Sequence, residues 1–565
     1  MFSIKKIGAI NKTYRHLNRY QGILRVLFKY GFSDVLERLH IDQYLESGLQ
    51  MINRKPREQI DKLSRPERLR MSLEELGPTF IKFGQVLSTR SDFIPPEYLF
   101  ELAKLQDDVP PFSYEDVESI FLAEMGHKPE ELFAEFKREP VAAASIGQVH
   151  EGVLRDGDKV VVKVQRPEIE KIIAVDLEIL AHIAALMEKY LEELQGHRPT
   201  SIVEEFARTI SKEIDYSVEI GNIERFAKQF ERSKTIYVPE VYRDLSCERI
   251  LTMENIQGVK ASDVDQLRKQ GTDLPLVAER GTNLIMEQIF VHGFFHADPH
   301  PGNIFILPDN LICFLDFGMM GRLSRQNRDD FTDLVLYIVA RNERKVMESV
   351  LKLTNHYEDI NRDALSRDLS EMLDRYLYLP LKELDAGKIL QDLLELVSRH
   401  QIFFKPNFYL MMKAITTVEG VGRILDPDLE LLKLAQPFMK KVKSDRLRLN
   451  RIAEEAGLAT SEYIDLLRDL PEELRSILSQ LRQGRMKLEF EHRGLSDLRV
   501  ALDQVSNRIS FAIVLASLII GSSLIILSGI PPKWNDIPII GLIGFLLAGV
   551  MGFWLLLSIL RHGRM

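Results

Sequence analysis

Two long apolar runs stand near the end of the chain. Residues 509–530 and 537–560 contain no charged side chain. At a rise of ~1.5 Å per residue, a helix of either length crosses a hydrocarbon core of ~30 Å. Arg508 precedes the first run and Arg561 follows the second, which predicts a hairpin with both ends on the cytoplasmic side. A buried helix pair in a soluble core is the alternative, and the length and purity of the runs disfavour it.

Shorter periodicities along the rest of the chain predict an α+β protein. Apolar positions recur at helical spacing over residues 34–135 and 168–232, and over residues 325–500 without a strand pattern of note. The segment GVLRDGDKVVVKVQRP alternates like a two-stranded hairpin with its turn at residues 155–157. Other strand-like segments are a pair at residues 236–241 and 250–253, and a third at 311–315. Hairpins followed by helices and a loop-rich block favour α+β over a regular βαβ series.

The first 33 residues contain no Asp or Glu but seven Lys or Arg, interleaved with apolar residues. This pattern predicts a basic amphipathic helix suited to an anionic membrane surface. A cleaved transit peptide is a second reading, although Ser is scarce here. A helix with a solvated charged face is the third.

Composition narrows the class of protein. A chain of 565 residues exceeds one hydrophobic core, so two to four structural units are expected. The net charge of -9, with no basic domain, gives no sign of a nucleic-acid partner. The two cysteines, Cys247 and Cys313, form no CxxC pair, which disfavours a zinc ribbon or disulfide scaffold and fits a reducing compartment.

Three segments carry the groups that phosphoryl transfer needs. Lys163, within a predicted strand, can neutralise phosphate oxygens. In HADPHPGN, Asp298 can meet an attacking hydroxyl or water while Asn303 coordinates magnesium. In LDFG, directly after a predicted strand, Asp316 can hold the magnesium that bridges nucleotide phosphates. The ordered combination is a much stronger signal than any one segment.

Two neighbouring features modify this interpretation. His296 and His300 have a zinc-like spacing, but Pro299 and Pro301 exclude the helix that such a pair needs. Lys163 also needs an acid to position it, and the segment KEIDYSVEIGNIERF offers Glu213, Asp215 and Glu219.

Ahead of Lys163, an alanine-rich segment stands where a protein kinase carries its glycine-rich loop. Each added Cβ restricts the backbone, so a nucleotide would be cradled differently. The candidate nucleotide-binding residues in it are Ala142, Ala143, Ala144, Ser145, Ile146, Gly147, Gln148 and Val149.

Together these motifs resemble the UbiB family of atypical kinases, over roughly residues 70–435. Lys82, Gly84 and Gln85 match the family's KxGQ signature, and Glu213 with Asp215 matches its ExD motif. The alanine-rich segment resembles the family's substitute for the glycine loop, residues 418–430 also look like family sequence, and the C-terminal hairpin resembles bacterial members. The three valines before Lys163 replace the more usual Val-Ala, a small departure.

The resemblance implies a two-lobed kinase-like fold that binds ATP and Mg²⁺. By the same match Glu219 pairs with Lys163, and the adenine hinge lies near Met253 and Asn255. In the family, the KxGQ segment lies over the pocket that a protein substrate would occupy, which implies ATPase or small-molecule kinase activity. The family supports the synthesis of ubiquinone and related prenyl-quinones, and the resemblance implies the same role here. We expect membrane lipids, prenyl-quinone precursors or quinone-biosynthesis enzymes as partners, at a bacterial inner membrane with the kinase-like part cytoplasmic.

The expected division of the chain follows from these patterns. The expected segments, in chain order, are basic amphipathic N-terminal helices over 1–69, a KxGQ helical extension over 70–135, a kinase-like N-lobe over 136–260, a kinase-like C-lobe over 261–435, a helical linker over 436–504 and two transmembrane helices over 505–565. Two other functions stay open: a soluble small-molecule phosphotransferase of the aminoglycoside-kinase type, and a non-catalytic scaffold switched by nucleotide. Turnover by the intact Asp316 site distinguishes the scaffold from an enzyme.

Overall fold

A computed structural model describes most of the chain. The described residues are 18–39, 63–88, 90, 94–105, 109–191, 198–340, 342–355, 360–376, 385–400, 402–446, 448, 495–534 and 537–562. The chain divides into two compact units, Met1–Glu454 and Glu455–Met565. All of the predicted site residues lie in the first unit, and both apolar runs lie in the second.

Helices form the described start of the first unit. They are a helix over residues 18–29, α1 (Ser33–Arg38), α2 (Arg65–Leu76), α3 (Pro78–Leu87) and α4 (Pro96–Leu102). Ser64 begins α2 through a capping box with Glu67, in which each side chain accepts the other residue's backbone N–H. Gly77, at φ 97°, lets the chain turn directly into α3, whose first residue is Pro78. The KFGQ sequence therefore lies on a short helix.

The helix over residues 18–29 packs into the first unit. Its apolar residues Ile23 and Leu24 are buried in the hydrophobic clusters of that unit. Arg19 donates to both carboxylate oxygens of Asp176, at 2.7 and 2.9 Å. The predicted membrane-surface role is wrong for this helix, because protein already covers its apolar side. The earlier part of the predicted basic segment lies outside the described residues.

A five-stranded antiparallel sheet, called the first sheet, forms the next layer. Its hairpin of β3 (Gly147–Val153) and β4 (Lys159–Gln165) confirms the predicted one, with Gly157 in its turn at φ 99°. With β1 (Glu135–Phe136) and β6 (Ile250–Glu254) at the edges the strand order is β1–β3–β4–β6, and β2 (Ala142–Ala143) also pairs with β3. In chain order the elements are α5 (Tyr114–Met125), α6 (Pro129–Leu132), β1 (Glu135–Phe136), β2 (Ala142–Ala143), β3 (Gly147–Val153), β4 (Lys159–Gln165), α7 (Ile169–Tyr190), α8 (Pro199–Glu213), α9 (Tyr216–Gln229), β5 (Ile236–Tyr237) and β6 (Ile250–Glu254).

The two faces of the first sheet differ. Val160, Val162 and Val164 of β4 are fully buried against a cluster that includes Phe121 of α5. Because side chains alternate along a strand, Lys163 lies on the opposite face. That face is the one available for polar chemistry.

A four-stranded sheet, the second sheet, contains β5, β7 (Val259–Lys260), β9 (Ile304–Leu307) and β10 (Leu311–Phe314) in the order β5–β10–β9–β7. Strands are present in both predicted segments, 236–241 and 250–253: β5 pairs in parallel with β10, β6 pairs with β4, and a single bridge joins Val241 to Met253. Strand β10 confirms the predicted strand at 311–315. The further elements are β7 (Val259–Lys260), α10 (Val264–Lys269), α11 (Leu274–Glu287), a π-helical turn (Gln288–His292), β8 (Phe294–His296), β9 (Ile304–Leu307), β10 (Leu311–Phe314) and β11 (Met320–Arg322).

Helices complete the first unit and enclose its largest hydrophobic cluster, into which α11 also packs. Two short paired strands interrupt them, in a region predicted to hold helices alone. The elements are α12 (Arg325–Val339), α13 (Glu343–Leu353), β12 (Thr354–Asn355), α14 (Arg362–Tyr376), α15 (Ala386–Arg399), β13 (Phe403–Phe404), α16 (Pro406–Leu425) and α17 (Leu431–Arg446). Mixed sheets and helices confirm the α+β class.

The described part of the second unit consists of two helices joined by a short hairpin. They are α18 (Leu495–Ser528), β14 (Lys533–Trp534), β15 (Ile537–Pro538) and α19 (Ile539–His562). Within α18, Ile509–Ser528 is long and apolar enough to cross a membrane, with a mean hydropathy of 2.5. In α19 the apolar stretch Ile539–Phe553 is shorter.

Candidate active site

Lys163 and Glu219 form an ion pair between the first sheet and the helix that packs beside it. The Lys163 Nζ lies 2.5 Å from Glu219 Oε1, and the two side chains are 18% and 7% exposed. Lys163 projects from β4, and Glu219 lies in the first turn of α9. Asp215 begins α9 by accepting the backbone N–H of Ser217, which fixes where that turn starts.

The same helix holds the LDFG segment. Glu219 Oε1 accepts the backbone N–H of Phe317 at 3.2 Å, and Asn222 Nδ2 donates to the Phe317 carbonyl at 2.9 Å. Glu219 and Asn222 are three residues apart and lie on one helix face, so α9 contacts the backbone N–H and the carbonyl of Phe317 at once. The Phe317 ring is fully buried and packs 5.2 Å from that of Phe226, also on α9. The position of Asp316 is therefore tied to the helix that holds Lys163.

His296 joins the two loops that carry the predicted catalytic aspartates. Its Nε2 bonds the backbone carbonyl of Asp316, and its Nδ1 accepts the backbone N–H of Asp298 at 3.2 Å. A neutral imidazole with its proton on Nε2 satisfies both bonds, a tautomer assigned from those partners. Burial lowers the pKa of His296, which favours this neutral form. Both ring nitrogens are thus engaged within the protein.

Asp316 and Asn303 lie on adjacent backbone segments. The backbone N–H of Leu315 donates to the Asn303 carbonyl at 3.1 Å, and Asp316 Oδ1 accepts the Gly318 N–H at 2.9 Å. Burial raises the pKa of Asp316, but the charge of Lys163 and the Gly318 bond outweigh it, so the pKa falls below its usual value. An ionised carboxylate and an amide side chain on the adjacent backbone segment are hard-oxygen donors of the kind that Mg²⁺ prefers.

The electrostatics of Lys163 follow from the same neighbours. Burial lowers the pKa of Lys163, but the charges of Glu219 and Asp316 more than offset it and raise the pKa above its ordinary value. The ammonium group is therefore charged at neutral pH. One cation between two carboxylates is suited to receive the phosphate oxygens of a nucleotide.

Asp298 lies in the HADPHPGN loop and is paired with a lysine from a distant helix. Its Oδ2 is 3.1 Å from Nζ of Lys413, and the two side chains are 33% and 29% exposed. Lys413 belongs to α16. A carboxylate this exposed is accessible to solvent and to an incoming substrate.

The alanine-rich segment forms a tight turn between β2 and β3. Ala144 N–H donates to the Gly147 carbonyl at 2.7 Å. A Cβ on Gly147 would come within 2.5 Å of the Val164 carbonyl and 2.4 Å of the Tyr216 hydroxyl, so the sheet requires glycine here. The Ser145 hydroxyl is buried without a hydrogen-bond partner among the described residues.

Two of the predicted nucleotide-binding residues in this segment face opposite ways. Val149 is the register partner of Lys163, so it lies on the same face of the sheet. Gln148 lies on the other face, where it accepts the Phe112 N–H at 2.9 Å and bonds His150. Strand alternation therefore turns the Gln148 side chain into the core, and contact of this residue with nucleotide stays a prediction.

The KFGQ and ExD motifs meet in the structure. Lys82 Nζ on α3 lies 2.6 Å from Glu213 Oε1 at the end of α8. Gln85 Nε2 donates to the Leu105 carbonyl at 3.2 Å. A Cβ on Gly84 would come within 2.3 Å of a methyl group of Leu105, so glycine permits this close packing. The pKa of Asp316 is lowered in part by Lys82, which places α3 within electrostatic reach of the site.

The predicted adenine hinge lies at the junction of the two sheets. Met253 is buried in β6 opposite Val161, and the Asn255 N–H donates to the Lys159 carbonyl at 2.9 Å. Four residues beyond Asn255, Val259 enters the second sheet. The segment is thus the connection between the two sheets, and its contact with adenine stays a prediction.

Sequence reasoning missed two residues of the site. Asn222 follows Glu219 by three positions, a helical spacing that could have suggested a shared partner. Lys413 is the only lysine of α16 and lies 115 residues after Asp298, so no local pattern connects the two.

Comparison with known proteins gives a consistent family assignment. The ABC1 atypical kinase-like domain matches residues 104–350, the UbiB helical domain matches 369–430, and the ABC1/UbiB kinase-like C-terminal domain matches 493–561.

Curated relatives match over much of their length. A Clostridium pasteurianum protein from the hydrogenase 1 5′ region is 33% identical over 97% of this chain and 99% of its own. Proteins named probable protein kinase UbiB are 35% identical in Marinobacter nauticus, over 75% of this chain and 78% of that one, and 32% identical in Enterobacter, over 96% and 98%. With three family models in order along the chain and relatives covered almost end to end, this chain belongs to the ABC1/UbiB family of atypical kinase-like proteins.

Proposed function

We propose that this chain is a membrane-anchored ATPase or small-molecule kinase that uses Mg²⁺ and supports the synthesis of ubiquinone or a related prenyl-quinone. The observation that carries the proposal is the ion pair of Lys163 with Glu219 on the helix that also holds the LDFG backbone. This arrangement brings a phosphate-binding cation and a metal-binding carboxylate together in one rigid constellation. Two curated relatives bear the name UbiB, which links the family to ubiquinone by name.

The residues divide the chemistry between them. Lys163 binds phosphate oxygens, and Glu219 keeps its ammonium in place. Asp316 and Asn303 would hold the magnesium ion, which would supply positive charge against the phosphate oxygens. Asp298 orients the attacking hydroxyl or water and accepts its proton.

The acceptor in this proposal is small. Lys82 on α3 lies close enough to influence Asp316 and is tied to α8 through Glu213. A helix held beside the site in this way obstructs a folded protein substrate more than water or a small hydroxyl compound. This supports hydrolysis of ATP or phosphorylation of a small lipid intermediate over protein phosphorylation.

The second unit provides the anchor. Ile509–Ser528 has the length and composition of a membrane span, and we propose that α19 crosses beside it as the second arm of a transmembrane hairpin. The arginines that flank the two runs then place both ends, and the first unit, on the cytoplasmic side of a bacterial inner membrane. The partners that fit are membrane lipids or prenyl-quinone precursors, together with the enzymes that process them.

A quinone profile of cells tests this function. Cells that lack the protein are expected to accumulate quinone precursors and to lose the mature quinone. Expression of the parent chain restores the profile, whereas Asp316→Asn does not, because the working group is the carboxylate that holds the metal. Restoration by Asp316→Asn at equal membrane abundance would falsify the proposal.

A further inference from the structure

The HADPHPGN loop has an unusual charge pattern for phosphoryl transfer. Between Asp298 and Asn303 it contains prolines, a glycine and His300, but no lysine or arginine. The transferring phosphoryl group carries negative charge on its equatorial oxygens, and nearby cations lower the barrier. Lys163 supplies one cation from the first sheet. The loop itself supplies no permanently positive side chain beside Asp298.

Lys413 supplies a cation at that place from outside the loop. Its Nζ lies 3.1 Å from Asp298 Oδ2, and its side chain is 29% exposed. Its charge also contributes to the lowered pKa of His296, the residue that joins the two aspartate loops. The ammonium group is therefore on the solvent-accessible side of the catalytic loop, where a terminal phosphate would meet Asp298.

The helix that carries Lys413 is firmly placed. Met411, Met412 and Ala414, which flank Lys413 in α16, are buried. One turn earlier on the same face, the guanidinium carbon of Arg90 lies 4.9 Å from the centroid of the Tyr409 ring, a cation–π contact. Because this face of the helix is packed in place, Lys413 stays near Asp298 without the loss of conformational entropy that ordering a loop would require.

We propose that Lys413 is a catalytic phosphate-binding residue, an inference that rests on the proposed function. Without nucleotide, Asp298 holds the ammonium group. When ATP is bound, the terminal phosphate offers a stronger anion, so Lys413 turns to it and leaves Asp298 free for the attacking oxygen. The bond between the γ-phosphorus and the β–γ bridging oxygen then breaks, a bond forms from that phosphorus to the oxygen of water, and Asp298 takes the water proton. The products are ADP and inorganic phosphate.

Steady-state hydrolysis of Mg²⁺–ATP by the full-length chain in detergent micelles tests Lys413. We expect Lys413→Ala to lower kcat by about 100-fold, the scale of one lost charge-stabilising donor. Lys413→Arg keeps a cation and is expected to recover part of that loss. The affinity for ADP, which lacks the terminal phosphate, is expected to stay at the parent value. Lys433→Ala, an exposed lysine on the next helix, is the matched control.

The possible outcomes separate this inference from the function it rests on. An unchanged or faster rate in Lys413→Ala overturns the inference, since the ion pair would then be neutral or inhibitory. An equal loss of ADP affinity also overturns it, because Lys413 would act on nucleotide binding in general. If the parent chain neither hydrolyses ATP nor binds it in a magnesium-dependent way, the proposed function itself fails.

Discussion

Lys163 and Glu219 are 56 positions apart in the sequence and form a nearly buried ion pair. Removal of one partner from such a pair leaves an uncompensated charge, which costs more than the pair contributes. Here the loss of the lysine affects two acids, because Asp316 shares its charge. The pair is therefore a structural requirement of the site as well as a means of binding phosphate.

Lys163→Met tests this dual role. We expect the free energy of unfolding to fall by about 3–5 kcal/mol, since Glu219 and Asp316 lose their nearest cation. Chemical denaturation followed by circular dichroism measures it, with ATP affinity as the second readout. The control is Lys137→Met, which breaks the exposed pair with Glu151 on the neighbouring strand and should lower the free energy of unfolding far less, because solvent screens that pair. Equal losses of unfolding free energy in the two variants would contradict a structural role for the pair of Lys163 with Glu219.

The residues of the site differed in how far they could be predicted. The motifs of Lys163, Asp298, Asn303 and Asp316 show their chemistry locally. Lys163 lies within β4, Asp298 and Asp316 follow β8 and β10, and Asn303 directly precedes β9. The direction of the Gln148 side chain was not predictable in the same way, because it depends on the strand alternation that begins at Gly147, within a segment interpreted as a loop.

At the scale of elements, the ion pair of Lys82 with Glu213 joins α3 to α8 beside the site. The two side chains are 17% and 20% exposed, so water screens their interaction only in part. The structure therefore gives the KxGQ and ExD motifs a joint role, which is to hold one helix against another. Sequence patterns identify each motif but cannot show that their charges meet, since contact between distant helices depends on the tertiary fold.

A double-mutant cycle measures this link. Lys82→Met and Glu213→Gln each remove the ion pair between α3 and α8, so the double variant should be more stable than the sum of single losses predicts. We expect a coupling free energy of about 1–3 kcal/mol from chemical denaturation. The control cycle on the exposed pair of Lys171 with Glu168 should give about 0.5 kcal/mol or less. A coupling near zero for Lys82 with Glu213 would show that the two helices are held by other contacts.

The helix over residues 18–29 illustrates why element roles are harder to predict than elements. Its basic amphipathic pattern is the same for a membrane-surface helix and for one that packs on protein. The contacts of Arg19 and Ile23 with other helices of the first unit show that this helix packs on protein, and no local sequence pattern contains those contacts.

At the scale of the whole molecule, the proposed function uses two units of different composition. The first unit carries the polar site, and the second carries the apolar span Ile509–Ser528. The length and purity of that span made it predictable, because the thickness of a bilayer sets a strict requirement that a sequence shows directly. The chain is thus expected to act on compounds that reach the membrane surface.

Ile519→Arg tests the anchor. A charge near the middle of the span should oppose insertion by about 2.5–3.5 kcal/mol, which reduces the fraction of the chain that stays in membranes after an alkaline carbonate wash. Leu502→Arg, on the same helix but before the span, is the matched control and should leave that fraction unchanged. If both variants remain with membranes as fully as the parent, the span is not an anchor.

In the proposed function, Asp316 holds a magnesium–nucleotide complex for phosphoryl transfer. The most direct test of this role is the initial rate of Mg²⁺-dependent ATP hydrolysis by the full-length chain in liposomes. We predict that Asp316→Asn lowers this rate by about 100-fold or more, because the neutral amide no longer offers the metal a charged ligand. Asp309→Asn, at an exposed turn outside the site, should hydrolyse ATP like the parent. Hydrolysis by Asp316→Asn at the parent rate would contradict the account.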